Sequence, residues 1–363
     1  MARKNDPSTT KKKKSISKKQ KRKRKLIIFA VEVVVLLVLL GVLWVAAKLS
    51  KIERDDLSDA KIAKNPVSEE TKKVLEKYTT IALFGLDNRS NGSYEGGNSD
   101  TIMVASINNE TKEVKLVSVF RDTYLNVGDG AYSKINSAYS RGGAEQMIGA
   151  LNVNLDLDIE EYVAVDWYAL VKAINLLKGI DIEVTGQEAG LINKYCSEIT
   201  KVTGFKSSGY VSEGVQHLDG VQALAYARIR KTAGDDFKRT ERQRLVVQKM
   251  VEKGLKSDVN TVVSIVDEVF PDIKTSLSYK KMLSLAMGAF DYKLGESIGF
   301  PMDRGGKTIS GSGSCVIPLD LLSNVRQLHG FLFANQKYVP TAELQEISNQ
   351  IVYQSGLSAA DAQ

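Results

Sequence analysis

Where apolar runs of this chain end, ionisable residues gather whose types suit the handling of phosphate. Asp87 and Arg89 follow Ile81-Ala82-Leu83-Phe84-Gly85-Leu86, and Asp100 stands directly before Thr101-Ile102-Met103-Val104. Were these runs adjacent antiparallel strands, both carboxylates would lie at neighbouring ends of a sheet. Two carboxylates suit Mg²⁺, which keeps several waters and takes one or two protein carboxylates beside substrate phosphate oxygens. On spacing alone, an Asp that caps a turn or pairs with Arg is the simpler reading. Arg121-Asp122 closes the run Leu116 to Phe120, and Lys134 and Asn136 come shortly before a helical segment, whose leading N–H groups favour anions. The densest group is Arg228, Arg230, Arg239, Arg242 and Arg244, five guanidinium groups within seventeen residues, with Asp236 and Gln243 among them. Guanidinium groups stay charged and grip phosphate oxygens in pairs. A solvated helix face with i,i+4 ion pairs also holds such residues, but crowding of one sign in an otherwise acidic region calls for an anionic partner.

Other phosphate devices are missing. Gly305-Gly306-Lys307-Thr308 looks like the end of a P-loop, yet Pro301 occupies the place of its first glycine. There is no G-x-S-x-G elbow and no dinucleotide fingerprint after the first strand. Two histidines, His217 and His329, without C-x-x-C or H-E-x-x-H, exclude ordinary zinc chemistry.

The elements that must position these residues read as strands and helices in alternation. Strands are expected at 80–86, 101–107 and 113–120, the last two joined by the turn Asn108-Asn109-Glu110-Thr111-Lys112. A helix near 143–151, a strand at 162–165, a helix at 167–177 and a strand at 181–184 follow, and helices then dominate from 219 to 290. Residues 296–300 return to the sheet and a helix at 321–333 closes the domain. This order predicts an α/β fold, a mixed sheet flanked by helices in an α-β-α sandwich. Residues 79–333 form the expected domain, 48–78 a polar stalk, and 334–363 a tail of unassigned role with a helical patch after Pro340.

Ahead of the stalk stands a membrane signature. Residues 1–25 hold thirteen Lys or Arg against Asp6, and residues 26–47 are apolar except for Glu32. About 20 apolar residues cross a hydrocarbon core of about 30 Å. The basic block keeps the N-terminus in the cytoplasm, so a single span with the domain outside the cell is expected. Residues 48–363 carry a net charge of −4, which makes nucleic acid an unsuitable partner and the membrane the natural one for the basic tail. Cys196 and Cys315, both on the outer side in this scheme, permit one disulfide.

Taken in order, Leu83-Phe84-Gly85-Leu86-Asp87-Asn88-Arg89, Ser99-Asp100-Thr101, Ser118-Val119-Phe120-Arg121-Asp122-Thr123, Lys134-Ile135-Asn136-Ser137-Ala138 and the stretch Ala225 to Gln243 resemble the LytR-CpsA-Psr enzymes of bacterial envelopes. The resemblance runs from about Thr79 to Val246 and more weakly to Phe333. It implies a phosphotransferase that moves a glycopolymer such as teichoic acid or capsule from a polyprenyl-pyrophosphate carrier to peptidoglycan. Asp87 and Asp100 would then hold Mg²⁺, or Mn²⁺ in its place. Arg89, Arg121, Arg228, Arg230, Arg239 and Gln243, joined by Lys134 and Arg242, would bind the pyrophosphate, and Asp122 or Asp236 would take the acceptor's proton. The isoprenoid tail needs an apolar slot, for which Val163, Val165, Leu170, Val171, Ile174, Leu176 and Leu177 are candidates. Two other readings remain open at this stage: a polyprenyl-pyrophosphate hydrolase, and a non-catalytic lipid-binding or regulatory membrane protein such as a transcriptional attenuator.

Overall fold

Strands buried on both faces build the centre of the molecule, with continuous buried runs along β3 (Ser99–Asn108) and β4 (Glu113–Val119). In a computed structural model the described residues are 53–55, 57, 62–87, 94, 97–230, 235–288 and 291–361. The basic tail (1–25) and expected span (26–47) lie outside them. Among the described residues no helix is long and apolar enough to cross a membrane. Strand β2 (Tyr78–Leu86) pairs antiparallel with β3 (Ser99–Asn108), which pairs antiparallel with β4 (Glu113–Val119). Short β1 (Glu53–Arg54), β7 (Glu161–Val165), β10 (Ile273–Thr275) and β11 (Lys293–Phe300) complete a seven-stranded mixed sheet in the order β1-β10-β7-β2-β3-β4-β11. Successive side chains of a strand face opposite ways. Ala82, Phe84, Leu86, Tyr162 and Ala164 therefore enter one core, while Leu83, Gly85, Val163 and Val165 face a cavity on the other side.

The first core is closed by helices α2 (Ser137–Leu155), α9 (Leu321–Phe333) and α10 (Ala342–Ser355). The opposite face carries α3 (Trp167–Leu176), α4 (Gly186–Thr203), α5 (Gly220–Ala227), α6 (Asp235–Leu255) and α7 (Val259–Glu268), with α8 (Tyr279–Met287) leading into β11. The layered architecture expected from the alternation is present. Among the described residues three two-stranded antiparallel sheets stand outside the main one: the hairpins β5 (Tyr124–Gly128) with β6 (Ala131–Lys134) and β12 (Arg304–Ile309) with β13 (Gly313–Pro318), and β8 (Ile180–Val184) paired with β9 (Gly214–Leu218) across the intervening α4.

Both expected appendages fold onto the domain. In the stretch read as a stalk, β1 pairs with β10, Ser68 caps helix α1 (Glu69–Leu75), and Ile62 and Leu75 are buried. In the stretch read as a tail, Leu344, Ile347 and Ile351 of α10 enter the first core. A buried carboxylate joins the two: Asp156 accepts hydrogen bonds from Asn65 Nδ2 (2.6 Å), Thr341 N (2.9 Å), Thr341 Oγ1 (2.8 Å) and the Tyr338 hydroxyl. Short polar stretches conceal such packing from a reading by hydropathy. Cys196 and Cys315 are free thiols, so the permitted disulfide does not form here. Gly305 to Thr308 lie in β12, an antiparallel hairpin strand rather than a phosphate loop ahead of a helix.

Candidate active site

Register brings the first two carboxylates together. Gly85 pairs with Thr101, and after a bulge Leu86 pairs with Ser99, so Asp87 and Asp100 stand at the same end of the sheet. Both border a cavity of about 600 Å³ between the sheet and helices α3, α5, α6 and α7. Arg228, Arg230, Arg239 and Gln243 border it too, from the end of α5 and from α6. Behind this polar rim the walls are apolar, among them Leu83, Val163, Leu170, Val246, Met250 and Ile265.

Fixed contacts set the rim's charges. Asp100 accepts from Arg121 Nη1 at 2.6 Å and from Arg230 Nη2 at 3.1 Å. Arg121 Nε lies 3.5 Å from Asp122, whose other oxygen is 3.1 Å from Lys134 Nζ. Arg230, Asp100, Arg121, Asp122 and Lys134 thus form one chain of alternating sign leading outward from the cavity. The turn that carries Arg121 is pinned through its backbone: Phe120 N donates to Phe300 O, Thr123 N to Phe120 O and Asn136 N to Arg121 O. Arg228, the C-cap of α5, lies 3.9 Å over the Trp167 ring and 3.4 Å from Glu198. That stacking fixes the plane of a guanidinium at the cavity edge. Arg239 is 2% exposed, an extreme burial for its type.

Not every expected residue comes to this place. Arg242 faces the other way: its Nε donates to Glu188 at 2.7 Å and its Nη1 to the Ile229 carbonyl, so it ties α6 to α4 instead of gripping a ligand. Burial pushes the Glu188 carboxyl up, but hydrogen bonds from the Thr185 backbone and Arg242 outweigh it and leave the pKa below its ordinary value. Arg89 lies outside the described residues, and Asp236 is the second residue of α6, with its side chain outside them. Of the slot candidates, Val163, Val165 and Leu170 line the cavity. Val171 and Ile174 belong to the neighbouring core, Leu177 is buried, and Leu176 packs against Ala169, Ala173 and Val269. The sequence reading missed Trp167, Tyr195 and the α6 wall. The signal for that wall was present, because Arg239, Gln243, Val246, Val247 and Met250 recur at helical spacing on one face.

Solved structures share this architecture. Protein gbs0355 from Streptococcus agalactiae superposes with a TM-score of 0.60 at 24% identity, covering 76% of this chain and 93% of that one. The LytR-CPS2A-psr family protein YwtF (TagT), solved with bound octaprenyl pyrophosphate lipid, superposes with a TM-score of 0.50 at 20% identity, covering 78% and 92%. These likenesses define a mixed-sheet fold. The LytR_cpsA_psr family model matches residues 42–298, and the chain belongs to that family. A relative from Enterococcus faecalis, the polyisoprenyl-teichoic acid–peptidoglycan teichoic acid transferase TagU, is 33% identical over 218 residues, 59% of this chain. The matched region spans 65% of that relative's length.

Proposed function

We propose that this chain transfers a glycopolymer from a polyprenyl-pyrophosphate carrier to peptidoglycan. One observation carries the reading: an apolar cavity of about 600 Å³ ends at a rim of Asp87, Asp100, Arg228, Arg230, Arg239 and Gln243. An isoprenoid chain fits the walls and a pyrophosphate fits the rim. The similarity to a teichoic acid transferase and to a protein holding octaprenyl pyrophosphate supports the same substrate class.

In the proposed reaction a sugar hydroxyl of peptidoglycan attacks the polymer-side phosphorus. A phosphodiester bond forms, the bond from that phosphorus to the bridging oxygen breaks, and polyprenyl phosphate departs with the bridging oxygen. Such transfer needs positioning and neutralisation of charge more than a covalent partner. Arg228, Arg230 and Arg239 supply charge at the rim, and Arg121 supplies it through the contact with Asp100. Asp122, held between Lys134 and Arg121, is one of the two carboxylates assigned to the hydroxyl proton. Asp236 is the other carboxylate assigned to that proton from the sequence.

Asp87 and Asp100 would hold a Mg²⁺ or Mn²⁺ ion: both offer hard oxygen donors, those of Asp100 once the pyrophosphate draws Arg121 and Arg230 away, and two carboxylates leave the remaining places to water and phosphate oxygens. Such an ion would add positive charge against the pyrophosphate. Among the described residues no larger group of His, Cys, Asp or Glu competes for it. The same proposal places the domain outside the cell, anchored through residues 26–47.

The test incubates the full chain with lipid-linked wall polymer, Mg²⁺ and peptidoglycan, and compares wild type with Arg121→Ala and Asp87→Ala. Each variant is expected to lose about a hundredfold or more in ligation, the scale of removing one charge-stabilising group. Ligation at the wild-type rate by both would refute the site.

A further inference from the structure

The β12–β13 hairpin lies beyond the residues matched by the family model, 42–298, yet it touches the Arg121 turn from two sides. On one side Val316 N donates to the Asp122 carbonyl at 2.9 Å, and Thr123 bridges to Val316. On the other, the Arg304 guanidinium lies 4.2 Å from the ring centre of Phe237 and 5.0 Å from that of Phe120. The two rings meet edge to face, 4.8 Å apart at 78°. Arg304 is itself anchored, because its Nη1 donates to the carbonyls of Pro301 (3.2 Å) and Met302 (3.0 Å).

The positions of the rings matter. Phe120 directly precedes Arg121, and Phe237 stands two residues before Arg239 at the start of α6. A planar cation over two aromatic faces is attracted by both and restrains their orientation. The sheet makes room for this stack at Gly299, where a Cβ would come within 2.6 Å of the Phe120 ring. Arg304 does not line the cavity, so any effect it has on the substrate must pass through its neighbours.

We infer that Arg304 is a positioning residue, which holds the Arg121 turn and the Arg239 end of α6 in register by stacking on Phe120 and Phe237. The substrate readout of this inference rests on the function proposed above; its conformational readout does not.

The test uses the full chain as wild type, Arg304→Ala and Arg304→Lys, with amide hydrogen exchange and titration of farnesyl pyrophosphate. In R304A, amides of residues 119–123 and 237–240 should exchange about tenfold faster while those of β2 and β3 keep their rates, and farnesyl pyrophosphate should bind about tenfold more weakly. The lysine variant, which keeps a cation over the rings, should recover most of both. Arg304→Ala added to a chain that carries both Arg121→Ala and Arg239→Ala should weaken binding no further, since the loss passes through those two residues. Wild-type exchange and affinity in R304A would overturn the inference, and so would losses that simply add. A wild-type chain that fails to bind farnesyl pyrophosphate would count against the proposed function, while exchange rates would still decide the role of Arg304.

Discussion

Arg239 and Arg242 sit three positions apart on α6 and meet different worlds. Arg239 borders the cavity, whereas Arg242 is 7% exposed against Glu188, itself 8% exposed. Lysine in place of Arg239 keeps the charge but loses the planar fork. Arg239→Lys should therefore weaken binding of polyprenyl pyrophosphate about tenfold, read by titration, with little change in the unfolding midpoint. Removing one partner of a buried ion pair leaves a stranded charge, at a cost of about 3 to 5 kcal/mol. Arg242→Ala should accordingly lose about that much stability in urea titration. Its effect on ligand affinity at temperatures where it stays folded should be small. Because the Glu188 pKa is lowered in the folded chain, its contribution is full at neutral pH and is lost as acid protonates it. Crowding of arginines was legible in the sequence. Which of them share a face with Gln243 followed only from the helical period, and the partner of Arg242 lies 54 residues earlier, beyond any local pattern.

At the scale of elements, β2, β3, β4, β7 and β11 were legible because apolar runs with turn residues between them leave few alternatives, whereas the short strands β1 and β10 were not. The ends of the domain were not, since their burial depends on contacts far along the chain. Helix α10 places Leu344, Ile347 and Ile351 in the core. Burial of three such side chains contributes about 5 to 8 kcal/mol, comparable with the whole net stability of a domain, about 5 to 15 kcal/mol. A chain ending at Phe333 should fail to unfold cooperatively on heating, followed by circular dichroism. The same region predicts a response to acid. His329 is buried, stacks on Tyr338 at 3.7 Å and donates Nε2–H to the Leu155 carbonyl at 3.0 Å. Burial lowers its pKa from 6.5 to about 4. Above pH 6.5 the ring is neutral in both states and its full contribution is present. Between about pH 6.5 and 4 only the unfolded chain takes up the proton, so stability should fall by about 3 kcal/mol across that window. In His329→Gln that part of the slope should vanish from urea titrations at stepped pH.

Across the domain, the two faces of one sheet do separate work: one carries the core that unites the stretch from Ile62 with helix α10, and the other is left open as a cavity. Pattern alone could not separate cavity from core, because Val163 and Ile174 are equally apolar and only the packing of α3 against its neighbours tells them apart. The separation of tail from head group is testable. Ala173 lines the apolar part of the cavity. Ala173→Phe should weaken binding of long polyprenyl pyrophosphates about tenfold and leave inorganic pyrophosphate binding unchanged, since only the former fills the slot. Equal losses for both would show that the cavity is not the tail's path.

Asp100 also governs how the rim takes up and releases its ligand. Its two oxygens already occupy Arg121 and Arg230, so an arriving anion meets guanidinium groups with an occupant in place. Displacement favours a ligand that can meet both guanidinium groups at once. On the proposed function that ligand is the pyrophosphate, whose charge is spread over two phosphorus centres, whereas the departing polyprenyl phosphate holds its charge on one. Reclaiming both arginines, the carboxylate would then expel the spent carrier and reset the rim for another turnover, so that one side chain gives the cycle its direction of traffic.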